Sequence, residues 1–140
     1  MTPEQVQLVR LSFTKVMAVK MDAARRFYER LFTLAPEVRP MFADDIESQA
    51  RKLMDTLAIA IGSLRDPAML NRILDGLATR HAAYGVRDEH YDKVGEALIW
   101  TLEKSLGDDF TPQIKSAWIS LYAAIAAQMR AAARPKAASA

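Results

Sequence analysis

The 140-residue chain contains no cysteine. That excludes disulfides, thiolate zinc sites and cysteine-held iron–sulfur clusters, and makes a reducing cytoplasm the expected setting. Glycine and proline are scarce, at 5 and 6 residues, while 51% of the chain is hydrophobic, the balance of an ordered globular protein. No apolar run approaches the ~20 residues a membrane-spanning helix needs, so no stable membrane insertion is expected. The opening MTPEQVQLVR carries acid and amide groups where a signal peptide has positive charge followed by an apolar block. Dense Lys/Arg patches interleaved with aromatics are also missing, which argues against nucleic acid as a partner. Acidic residues stop at Asp109, whereas Lys115, Arg130, Arg134 and Lys136 follow. The net charge of +2 therefore conceals a basic end, read here as a solvated helix end and tail.

Helical periodicity is what remains. Thr2-Pro3-Glu4-Gln5 reads as a capping box with proline at the first helical position, and Val6, Val9, Phe13 and Val16 carry an apolar face to about Lys20. A second helix is expected from about Asp22 to Leu34, and PEVRPMF, with Pro36 and Pro40, as a short broken turn ending at Phe42. A long helix follows from Asp45 towards Leu64. Asp66-Pro67 starts the next, Asp88 looks like the cap of another that Gly107 stops at Leu106, and Thr111-Pro112 opens the last. No run alternates as a strand does. The expected fold class is all-α, with six principal helices plus short helical turns, in one domain over residues 3–130 followed by a flexible tail at 131–140.

Three polar side chains sit where the apolar pattern wants hydrocarbon. Leu70, Ile73, Leu74 and Leu77 recur at helical spacing, and His81 falls one turn later on the same stripe, shortly before Gly85. Gln49 lies on the face of Ile46 and Leu53, and Tyr28 one turn before Leu31 and Phe32. Singly, each has a plain structural account: a core histidine bonded to a carbonyl, an amide at the rim of its stripe, a core aromatic with a satisfied hydroxyl. Together they suit a different purpose. A pocket for dioxygen on haem iron wants a neutral imidazole on one side and hydrogen-bond donors on the other, and a phenol and an amide both donate. His90, the other histidine, is expected to point outward or cap its helix, with no role.

The order FYERLF around Tyr28, PEVRPMF ending at Phe42, SQARKLM around Gln49 and RHAAYGVRDEHY with His81 and Tyr91 resembles the globins. Within them it is similar to bacterial single-domain haemoglobins akin to the globin part of flavohaemoglobins, from about Pro3 to Arg130. The resemblance implies a globin fold packed around haem b (iron protoporphyrin IX). It implies His81 as the metal ligand, with the Leu77 carbonyl one turn back accepting its Nδ1–H. Tyr28, Gln49 and Leu53 would line the distal side, Phe42 would stack on the porphyrin, and Leu57, Val86, Tyr91 and Val94 would be wall residues. Lys52 near the rim could pair with a propionate. In flavohaemoglobins a glutamate on the last helix joins the tyrosine matching Tyr91. Here that stretch is Arg130-Ala131-Ala132-Ala133, so the push towards O–O cleavage should be weaker.

The implied function is reversible binding of O2, and by the same chemistry of CO and NO, in storage, delivery or scavenging. No catalytic residue is assigned. The alternative is a nitric oxide dioxygenase or weak peroxidase, which would need a separate reductase because the globin resemblance uses nearly the whole chain. A haem sensor or a haemless helical interaction protein is the third class.

Overall fold

The computed structural model describes residues 1–42 and 45–133, and among them every regular element is helical. Six α-helices run from Pro3–Met17 (α1), Lys20–Leu34 (α2), Ile46–Gly62 (α3), Pro67–Ala83 (α4), Asp88–Leu106 (α5) and Pro112–Ala133 (α6). Short 3-10 turns at Pro36–Met41 and Gly107–Asp109 complete the all-α fold expected from the sequence.

Local chemistry sets most boundaries. Thr2 Oγ1 accepts the Gln5 N–H while Gln5 Oε1 accepts the Thr2 N–H, both at 3.1 Å, the reciprocal cap read from the sequence. Asp45, Asp66 and Thr111 accept the amides of Ser48, Met69 and Ile114 in the same way. Helix α4 closes around Gly85, whose φ of 87° suits only a residue without a Cβ. There the Gly85 N–H reaches the Ala82 carbonyl and the Val86 N–H the His81 carbonyl, at 3.0 and 3.1 Å, so the helix ends just past His81.

Two boundaries differ from expectation. Helix α1 stops at Met17 and α2 begins at Lys20, with no glycine, proline or capping side chain at the break; the Val19 N–H returns to the Val16 carbonyl at 3.0 Å. Asp88 is the first residue inside α5, and Arg87 is its N-cap. The Asp88 carboxylate lies 3.4 Å from Arg130 Nε, which gives it a partner outside its own helix. Helix α6 includes 131–133, and the rest of the expected tail, 134–140, lies outside the described residues.

Packing divides the interior in two. In the larger cluster α1, α2, α3, α5 and α6 meet around Phe27, Leu31, Met54, Leu102 and Trp118. The buried Trp118 Nε1–H donates to Ser12 Oγ at 2.8 Å, which satisfies the indole without a water. A smaller cluster joins α4 to α6 and the start of α5 through Leu74, Ala78, Tyr91, Ala126 and Met129. Helices α3 and α4 are neighbours in sequence, yet α3 packs on α2 and α4 on α6. The interior is thus split where those two helices would otherwise meet.

Candidate functional site

His81 is half-buried in the last turn of α4, with Nδ1 2.7 Å from the Leu77 carbonyl. A carbonyl oxygen can only accept, so Nδ1 carries the hydrogen and Nε2 keeps its lone pair. Burial pushes the imidazole below the usual histidine range; the Leu77 bond opposes that shift and the neighbouring Arg80 cation reinforces it. The ring is therefore neutral at pH 7, with its metal-competent nitrogen unengaged.

On the other side, Tyr28 is 5% exposed and packs edge-on against Phe42, with ring centroids 5.2 Å apart. Phe42, half-buried at the end of the Pro36–Met41 turn, also meets Phe32 at 5.4 Å. The Tyr28 hydroxyl donates to the backbone carbonyl of Gln49 at 3.3 Å, so the tyrosine and the first turn of α3 are neighbours. The contact is through the main chain of Gln49 and not its amide. Burial raises the Tyr28 phenol to about 12, which keeps it a donor at any physiological pH. Gln49 itself is half-buried. Leu53 and Leu57 follow at one and two further turns, and with Phe13, Phe27, Leu98 and Trp118 they border an apolar cavity of about 20 Å³.

The wall residues divide between the two clusters. Val94 packs with Leu53 and Leu57 in the larger one, while Val86 and Tyr91 join Leu77 in the smaller. Tyr91 is 7% exposed; burial raises its phenol, with Arg130 opposing and Asp88 adding to the shift. The Arg130 guanidinium sits 5.4 Å from the Tyr91 ring centroid and holds Asp92 at 2.9 Å, so a cation occupies the α6 position considered for a carboxylate. Lys52 is exposed and forms no ion pair among the described residues.

His90 does not point outward: it is 2% exposed. Its capping role holds, since Nδ1 accepts the Arg87 N–H at 2.9 Å. The ring is buried because Nε2 turns towards Glu37 of the 3-10 turn, 3.6 Å away, a contact between segments far apart in sequence.

Sequence reasoning passed over three further residues. Between α3 and α4 lies a cleft of about 250 Å³ lined by Thr56 and Ile59 from one helix and Arg72, Ile73, Leu77 and Arg80 from the other. Arg80 looks like a solvated charge beside His81, and nothing local marks it as a lining residue. Gly95 and Tyr122 form the other pair: a Cβ on Gly95 would lie 2.7 Å from the Tyr122 ring, so glycine there lets the ring cross α5 and its hydroxyl donate to the Tyr91 carbonyl. A glycine in mid-helix was the available signal.

These residues fit a haem. Among the described residues no three His, Asp or Glu side chains gather around a metal ion, so a metal on His81 Nε2 needs most of its ligands from a non-protein group, as a porphyrin provides. The cleft between α3 and α4 has Thr56 and Ile59 on one wall and Ile73, Leu77 and Arg80 on the other, ending one residue before His81, while Leu53 and Leu57 face the separate cavity beside Phe27 and Leu98.

The family model described as Globin matches residues 25–129. The flavohemoprotein of Rhizobium meliloti (strain 1021) is 32% identical over 105 residues, 73% of this chain and 26% of that protein, so the chain spans about a quarter of its length. Neuroglobin of Chaenocephalus aceratus is 28% identical over 137 residues, covering 88% of this chain and 86% of that one. The crystal structure of a hexacoordinated heme protein from an anhydrobiotic tardigrade, determined at pH 4, matches with a TM-score of 0.87 over 96% of both chains at 14% identity.

Proposed function

This chain belongs to the globin family and has the globin fold, and from that premise we propose a haem protein that binds O2, and also CO and NO, reversibly, for storage, delivery or scavenging. When bound, haem b would supply a ferrous iron able to take up a diatomic guest. The observation that carries the reading is the 2.7 Å contact from His81 Nδ1 to Leu77. It fixes the tautomer, orients the ring and leaves Nε2 with a free lone pair that would hold the iron.

Opposite His81, Tyr28 and Gln49 would donate hydrogen bonds to the guest, with Leu53 beside it. Phe42 would stack on the macrocycle, while Leu57, Val86, Tyr91 and Val94 would exclude water around it and Lys52 would meet a propionate. Either partner of a bond to a partly anionic acceptor contributes about 1.5–3 kcal/mol, roughly a ten- to hundredfold effect on retention. The chain has two histidines, and His90 is committed to Arg87 and turned towards Glu37. No second imidazole is therefore offered to the iron, and an amide at Gln49 is a poor ligand, so the distal face is left to water or gas.

Residues 3–130 form the proposed gas-binding unit, acting in the cytoplasm. No helix among the described residues is long and apolar enough to cross a membrane. Likeness to a flavohemoprotein supports, as the second reading, nitric oxide dioxygenation or weak peroxidation driven by a separate reductase. Helix α6 carries no Asp or Glu and meets Tyr91 with Arg130; this favours the binder, because the electron push that O–O cleavage needs would lack an acidic partner there.

The test is optical. Freshly purified protein should be coloured, with distinct oxidised, reduced and CO-bound spectra, and His81→Ala should lose them. Colourless protein that takes up no added haem, or unchanged spectra in His81→Ala, overturns the proposal.

A further inference from the structure

His90 is 2% exposed, yet its buried Nε2 has no hydrogen-bond partner among the described residues. The other ring nitrogen settles what Nε2 carries. Nδ1 accepts the Arg87 N–H at 2.9 Å, so it holds a lone pair and the ring hydrogen sits on Nε2. A buried N–H without an acceptor is costly. The group it faces is a carboxylate, with Glu37 Oε1 3.6 Å away on an exposed side chain. A small rotation of that side chain brings the oxygen into range of a charge-assisted bond.

The two ends of this contact belong to segments that matter to the site. Arg87, which His90 holds, follows Val86, whose N–H bonds the His81 carbonyl at 3.1 Å. His90 therefore secures the stretch that closes α4 just past His81. Glu37 lies in the Pro36–Met41 turn, where Pro36 and Pro40 each fix a φ angle. The Phe42 N–H bonds the Arg39 carbonyl at 3.2 Å, so Phe42 is carried by that stiff turn. From there its ring packs edge-on against Tyr28 and Phe32.

We propose that His90 Nε2–H and the Glu37 carboxylate tie the turn carrying Phe42 to the segment that follows His81, and so set where Phe42 stands relative to that imidazole. The inference rests on the haem reading above and adds to it a positioning residue, His90, which acts through Phe42. One buried imidazole thus caps α5 with one nitrogen and spans to a distant segment with the other.

The experiment starts from Glu37, because an exposed side chain can be changed without opening the core. In isotope-labelled protein kept under CO, nitrogen NMR should show the His90 ring as the Nε2–H tautomer, and Glu37→Ala should shift that signal. Haem loss to excess apomyoglobin should be about fivefold faster in Glu37→Ala, the scale of a half-exposed ion pair. Glu37→Gln, which keeps a neutral acceptor, should fall between. In a Phe42→Leu background Glu37→Ala should add nothing, whereas a merely structural contact would speed loss by the same factor with or without the phenyl ring. An Nδ1–H tautomer, or a ring signal indifferent to Glu37→Ala, overturns the tie. Unchanged haem loss in Glu37→Ala, or equal acceleration in both backgrounds, overturns the action through Phe42. The NMR arm needs no cofactor, so the two claims separate: parent protein that takes up no haem refutes the gas-binding reading, while the ring signal still decides the tie.

Discussion

Tyr28→Phe removes one oxygen atom from a side chain that is 5% exposed and packed among Phe27, Phe32 and Phe42. The ring contacts survive, so the change isolates the hydroxyl. Its bond to a partly anionic guest is worth about 1.5–3 kcal/mol. The structure subtracts from that figure, because the same O–H already donates to the Gln49 carbonyl at 3.3 Å. Turning to the guest gives up that bond, a long one of about 0.5–1 kcal/mol. The balance is roughly 1–2 kcal/mol, so O2 should leave the variant about five- to thirtyfold faster. Stopped-flow replacement of O2 by CO measures the rate directly. Since burial holds the phenol near 12, the parent's rate should also stay flat from about pH 6 to 9, with no phenolate to weaken the donor. An unchanged rate in Tyr28→Phe would show that the hydroxyl stays on Gln49 and plays no part in retention.

Gly95→Ala drives a methyl to 2.7 Å from the Tyr122 ring; it should cost about 1–3 kcal/mol and lower the melting temperature by several degrees, read by circular dichroism, with part of the loss recovered in Gly95→Ala/Tyr122→Leu. Alkaline stability supplies another check, because the Tyr28 phenol titrates near 10 when unfolded and near 12 when folded. Its contribution is full below pH 10 and is lost as pH rises towards 12, on the order of 2 kcal/mol. Urea midpoints between those limits should fall less in Tyr28→Phe than in the parent; parallel slopes would refute the shift.

Where the chain signals its structure locally, the sequence could be read. The caps at Thr2, Asp45, Asp66 and Thr111 each need only three or four consecutive residues, and the apolar stripes that share a face with Tyr28, Gln49 and His81 need only helical spacing. The Leu77 bond to His81 belongs to the same class, being one turn of one helix. What escaped notice depends on distant segments. The buried His90 turns towards Glu37, far back in the chain, and the break at Ala18–Val19 carries no residue that would announce it. Arg80 falls off the apolar stripe and is exposed, as that position implies, yet it also borders the cleft between α3 and α4, which only the separation of the two helices creates.

That parting is itself the least local feature and the one on which the site turns. Two long helices joined by a four-residue link, Ser63 to Asp66, would ordinarily bury their apolar faces on each other. Here α3 is drawn to α2, where Tyr28 bonds the Gln49 carbonyl, and α4 to α6, where Gln128 Nε2 donates to Asp75 at 3.0 Å. Each helix thus leaves apolar side chains incompletely buried at the cleft between them, Ile59 on one and Ile73 and Leu77 on the other. Such side chains on two walls represent unspent hydrophobic driving force at about 25 cal/mol per Å². A flat apolar group inserted there would claim it, with His81 one residue beyond the cleft-lining Arg80.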